Sequence, residues 1–179
     1  MNSQIAKEEK TLGTILHLSV FSKFIIPFGN FIFPLILWLT KKEKPFIDDH
    51  GRKAINFQIS LFLYTIFILA VGLAIVLFQA IRLGGEVPFA IGPDQFYIDE
   101  MGQAISIVIT ISVFAILLSA LFILEIFAVI SASIKASNGE NYSFPLSINF
   151  IGRDSDNHQF TNHQQSKNEQ FNNPKNETL

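Results

Sequence analysis

A single carboxylate, Glu125, interrupts the otherwise uncharged run from Gln103 to Ile134. It lies nine residues before the end of that run, or ~13 Å at helical rise. An ionised side chain at such a depth in a bilayer costs roughly 3 kcal/mol. Two chemistries fit the position. One is a relay for protons or cations; the other is a neutral glutamic acid hydrogen-bonded between helices. Asn30 and Tyr64 fall at a similar depth in their own apolar runs, so Glu125, Asn30 and Tyr64 form a candidate intramembrane polar cluster. In the neutral form the acid would donate to carbonyls freed at a helix break, and Glu125→Gln would be nearly neutral for stability.

The remaining polar residues point to structure more than to reaction. Lys23 is expected to snorkel or to face the bundle rather than to form a Schiff base. Asn56 and Gln58 project about 200° apart on a helix, so one would bond to a neighbouring helix while the other faces the headgroups. His17 is expected at the interface. Asp48, Asp49 and His50 could suggest a metal site, but ligands so close in sequence and without a fourth rarely form one. The sequons at Asn141 and Asn176 fall in segments expected to be cytoplasmic, where glycosylation would not occur. The chain has no cysteine, and none of the protease, hydrolase or phosphate-loop motifs occurs. No catalytic residue, metal ligand or cofactor is therefore expected, and the net charge of −2 argues against a nucleic-acid partner, which would require a basic face.

The elements that must position these residues are membrane helices. Charged residues make up 16% of the chain, against roughly 25% in soluble domains. Ala54 to Ile81 carries no charge at all, and a run of about 20 apolar residues suffices to cross a bilayer. The expected fold is all-α and integral to the membrane, with about three transmembrane helices in 12–151, a polar N-terminus in 1–11 and a disordered Asn/Gln-rich tail in 152–179. The tail lacks any apolar period and should be dispensable for insertion. The first apolar segment, Leu12 to Leu39, contains Pro27, Gly29, Asn30 and Pro34, and is expected to break near Pro27–Asn30. A single broken span is favoured over a hairpin of two half-helices, because each arm would be only ~20 Å long. Arg82 to Gly102 reads as a turn-rich loop, and Asn138-Gly139 as a helix stop.

Lysines and arginines at 41, 42, 44, 52 and 53 mark the first loop as cytoplasmic. With three spans, that sets the N-terminus outside and the C-terminus in the cytoplasm, although Lys7 and Lys10 oppose this. Trp38 and Phe96-Tyr97 suit interfacial anchoring. Ala128, Ala132 and Ala136, like Ala115 and Ser119, offer small-residue faces for packing within the chain, for homo-oligomers or for contacts with other membrane proteins.

The stretch PLILWLTKKEKPFIDDHGRKAINFQIS, with Pro34, Trp38, Asn56, Phe57 and Gln58 as its motif positions, resembles the signature of a bacterial family of small multi-span membrane proteins. This is the family of domain of unknown function 4870, which includes some magnetosome-membrane proteins. It is related to the twenty-kilodalton subunit of the chloroplast inner-envelope import translocon. IKASNGENYSFPLSINFI is the second marker, and His17 and Pro27 extend the likeness over most of Leu12 to Ile151. The resemblance implies a helical component of assembly or translocation in the bacterial inner membrane, without an established activity. A non-enzymatic scaffold is the leading function. The alternative is a small transporter or channel subunit that uses Glu125.

Overall fold

The computed structural model describes residues 5–82, 89–91, 96–98 and 101–152. It divides into a compact unit, Met1–Ile148, and a second unit, Asn149–Leu179. In the second unit only 149–152 are described, and they carry neither helix nor strand. The tail expected to be disordered therefore lies, apart from Gly152, outside the described residues.

The first unit is helical, as its sequence pattern requires. Helix α1 runs Lys7–Leu18 and passes into a 3-10 helix, Ser19–Phe24. Helix α2 runs Gly29–Lys41, α3 Pro45–Arg82 and α4 Met101–Asn138. Pro45 opens α3, where its missing N–H would have had no partner anyway. At the far end of α4, Gly139 adopts φ 79°. Its N–H donates to the Ala136 carbonyl while that of Glu140 donates to Lys135, both at 2.9 Å, the paired bonds of a Schellman stop. The loop between α3 and α4, read from sequence as turns alone, contains an antiparallel pair, β1 (Phe89–Ile91) with β2 (Phe96–Ile98), in register Phe89 to Ile98.

Helices α3 and α4 are each 38 residues, or ~57 Å at helical rise, and both are long and apolar enough to cross a membrane. The first apolar segment behaves differently. It breaks where expected, between Phe24 and Gly29, but its second arm returns to the end from which the first arm started. Glu9, at the start of α1, pairs with Lys44, beyond the end of α2, at 3.5 Å. Lys10 lies against Gly139 at the end of α4. The first unit thus combines two helices able to cross a membrane with a hairpin of two shorter arms, where about three spans were expected.

The placement of the N-terminus opposite the first loop is corrected by the same contacts. The described start of the chain, the lysine-rich loop and the end of α4 share one end. Helix α2, with 13 residues and a length of ~20 Å, is too short to cross, and folding back brings its end beside the start of α1.

The hairpin turns tightly. The N–H groups of Ile25 and Ile26 both donate to the Ser22 carbonyl at 2.9 Å, and Phe28 takes φ 60°. Gly29 follows because an added Cβ would lie 2.8 Å from the Ser22 backbone. Lipid is as apolar as the side chains, so helices in it associate through close packing and polar contacts. Ala128, Ala132 and Ala136 are fully buried within the chain; Ala136 lies near Gly13 of α1. That small-residue face is therefore spent on the fold and is not free for oligomerisation.

Close approach is most acute at Gly51, where a Cβ would come within 2.3 Å of Trp38 Cγ. Gly51→Ala should force Trp38 and α2 away from α3. The expected loss is about 1–3 kcal/mol, read as a lower unfolding midpoint of the full chain in detergent. Gly102→Ala, with nothing within 4 Å, should leave that midpoint unchanged or slightly raised.

Candidate functional site at the hairpin tip

The 3-10 helix that ends the first arm carries Lys23 to the face of α4. Its tighter winding begins at Ser19, whose hydroxyl donates to the Leu16 carbonyl at 2.7 Å. The Lys23 ammonium donates to Glu125 Oε2 as a charge-assisted bond. Glu125 is only 6% exposed, while the Lys23 side chain retains 23%. The rings of Phe24 and Phe122 stand 5.4 and 5.5 Å from the ammonium and meet each other edge to face at 6.2 Å. Two charges that would each be costly in hydrocarbon are neutralised against one another, with cation–π contacts covering the lysine. Glu125 Oε1 and Ser22 Oγ are buried without a hydrogen-bond partner.

Three further polar contacts repeat the arrangement toward the lysine-rich end, each joining the hairpin to α3. Asn30 Nδ2 donates to Gln58 Oε1 at 2.8 Å. His17 Nε2 and His50 Nδ1 lie 2.7 Å apart, so one imidazole donates and the other accepts, and the pair cannot hold both of those protons. Phe46 flanks His50 with ring centroids 4.4 Å apart, and Phe144 flanks His17 at 5.6 Å. Finally, Trp38 Nε1 donates to Asp48 Oδ1 at 3.0 Å, and Arg52 pairs with the same carboxylate at 2.9 Å.

The cluster expected from sequence is not assembled. Glu125 takes Lys23, Asn30 takes Gln58, and Tyr64 donates its hydroxyl to the Leu146 carbonyl at 3.0 Å. Depth alone could not bring the three together, because Asn30 faces α3 whereas Glu125 faces the 3-10 helix. The role expected for Glu125 as a neutral donor to freed carbonyls gives way to an ion pair. Of the two options for Lys23, the bundle-facing one holds.

Asn56 and Gln58 are both buried, at 4% and 2% exposure, so neither faces headgroups. The hairpin and α4 cover both sides of α3 at that level. Phe57, between them, is a core residue stacked on Phe144 at 4.4 Å, and Pro34 is buried inside α2. Asp48, Asp49 and His50 turn to Trp38 with Arg52, to Lys53 and to His17 respectively. Among the described residues no three His, Asp or Glu side chains come together as metal ligands. The His17–His50 and Asn30–Gln58 contacts were missed from sequence, because they exist only once the segment folds back.

Removing one charge of the Lys23–Glu125 pair should leave the other stranded. Glu125→Gln and Lys23→Met are each expected to destabilise by about 2–3 kcal/mol, below the range for a fully buried pair because Lys23 is partly exposed. The double variant Lys23→Met/Glu125→Leu should recover most of the loss. A double-mutant cycle in detergent measures this, and strictly additive losses would show that the pair is not coupled.

Residues 8–151 match the sequence profile of the magnetosome magnetite crystal formation protein family, MamF/MmsF. No curated protein and no solved structure matches the chain. The match corrects the resemblance read from Pro34–Ser60 and Ile134–Ile151, since the family that covers both stretches is this one, not the family of unknown function or a relative of the chloroplast translocon subunit. The residues behind that resemblance seat Trp38 on Gly51, open α3, pair Gln58 with Asn30 and stop α4. In the structure they pack, pair and cap the helices of a small bundle.

Proposed function

The chain belongs to the magnetosome magnetite crystal formation protein family, and from that membership we propose that it is a non-enzymatic scaffold of the magnetosome membrane that supports crystal formation. The observation that carries the reading is how the polar side chains of the hairpin are used. Lys23, Asn30, His17 and Trp38 each bond to α3 or α4, so their chemistry goes into holding a shape. What the unit turns toward lipid is apolar, including Ile25 at the hairpin tip and Phe67, Ile116 and Ile123 on the long helices.

Orientation is part of the proposal. Lys7, Lys10, Lys41, Lys42, Lys44 and Lys135 gather at one end of the unit, and positive charge favours the cytoplasmic side. On this reading both the described start of the chain and the end of α4 face the cytoplasm, and Lys7 and Lys10 no longer oppose the rule. Contacts with other membrane proteins, or between copies, would use lipid-facing surfaces such as that around Ala115 and Ser119.

One observation favours a second reading, a transporter subunit: Glu125 Oε1 is buried and unpartnered, free to accept a proton or a cation. The two readings separate in cells that form magnetosomes but lack the native gene. The double variant Lys23→Met/Glu125→Leu keeps the hairpin seated without its charges, and it should restore crystal number and size, seen by electron microscopy, to those given by the unaltered chain. A double variant that accumulates in the membrane yet fails to restore the crystals would favour the transporter.

A further inference from the structure

Within Met1–Ile148 the two halves of the α3–α4 pair are surrounded differently. From Pro45 to Phe62 of α3, and from Phe122 to Asn138 of α4, the hairpin lies alongside. Its tip is fixed at that limit by Phe24 on Phe122, Lys23 on Glu125, and Phe31 against Phe62 at 6.0 Å. The chain beyond α4 fills the same half. Phe144 stacks on Phe57, Leu146 accepts from Tyr64, and the Ile148 N–H donates to Ser60 Oγ at 2.8 Å. Toward Arg82 and Met101, the described residues comprise the two long helices, joined by Phe114 against Gly72 and by Gln79 with Thr110 at 3.0 Å, and the short β1–β2 pair in the loop that connects their ends.

The hairpin is embedded in its leaflet and does not rest on top of it. Ile25 is 85% exposed, and Phe28, Ile36 and Leu39 are at least half exposed, so apolar surface faces outward from the tip nearly to the end of α2. That surface requires hydrocarbon. Each helix is a rod about 10 Å across, so among the described helices one leaflet accommodates four rods and an extended segment, and the other leaflet two rods. An inclusion of unequal cross-section strains a flat bilayer, and the strain relaxes when the leaflet holding the wider end becomes convex.

We propose that this unit is a bilayer wedge, which favours membrane whose leaflet on the Lys41–Lys44 side is convex and, at high density, bends flat membrane in that sense. The partner is the curved lipid surface itself. The proposal stands on the fold alone and holds whether the chain acts as a scaffold or as a transporter.

The test uses the full chain carrying Lys42→Cys, its only thiol, reconstituted into phosphatidylcholine vesicles of mixed diameter. A lipid without net charge removes any attraction of the lysines to anionic headgroups. Protein density per unit of lipid is read vesicle by vesicle, and the side of the thiol is read with an impermeant reagent. Density should rise roughly threefold from the widest to the narrowest vesicles, and in the narrowest most thiols should label from outside. A density independent of diameter would overturn the proposal, as would an excess of inward-facing thiols in the narrowest vesicles.

Discussion

A polar side chain carried into hydrocarbon must find a partner within the protein, because water is absent and each unpaired group costs free energy. In this chain that constraint acts most strongly on the hairpin. Its second arm is too short to cross, and lipid gives the arms no hydrophobic reason to adhere to other helices. Their attachment runs through four polar contacts at successive depths: Lys23 with Glu125, Asn30 with Gln58, His17 with His50, and Trp38 with Asp48. Close packing completes the attachment, with Trp38 against Gly51 and Ala136 of α4 near Gly13. Lys23, Glu125, Asn30, Gln58, His17, His50 and Asp48 thus each use a polar atom to hold the hairpin in place.

Those contacts also explain which parts of the fold could be read from the sequence. The two long helices were legible from the uncharged runs alone, and the stop at Asn138-Gly139 from residue types that tolerate a left-handed backbone. The break near Pro27 was legible too, because a proline removes a backbone bond wherever the helix leads. The return of the second arm was not. Arm length shows that a half-helix cannot cross, but it does not show whether the rest of the protein offers that arm a partner. The deciding contacts, Glu9 with Lys44 and His17 with His50, are distant in sequence, and no local pattern announces them. In hindsight the closest signal was Lys7 and Lys10, whose charge disagreed with an external N-terminus.

The candidate site shows a related limit. Depth along a helix follows from counting residues, and by that measure Glu125, Asn30 and Tyr64 did lie near one level. The direction in which a side chain points depends on which helix stands beside it, and that changed when the hairpin folded back. Lys23 then became the neighbour of Glu125, and an ion pair replaced the neutral acid expected from desolvation. The motif residues Trp38, Asn56, Phe57 and Gln58 proved to be packing and pairing residues in the same way. Membership in the magnetosome family therefore rests on the match across residues 8–151, not on any one of these positions.

The claim on which the rest depends is that the first apolar segment returns to the side from which it starts. The chain has no cysteine of its own, so single thiols introduced by Lys7→Cys and by Lys42→Cys can be labelled in sealed membrane vesicles with an impermeant reagent. The hairpin requires both positions to react from the same side. Labelling from opposite sides would mean that the segment crosses the bilayer, and would contradict the fold described above.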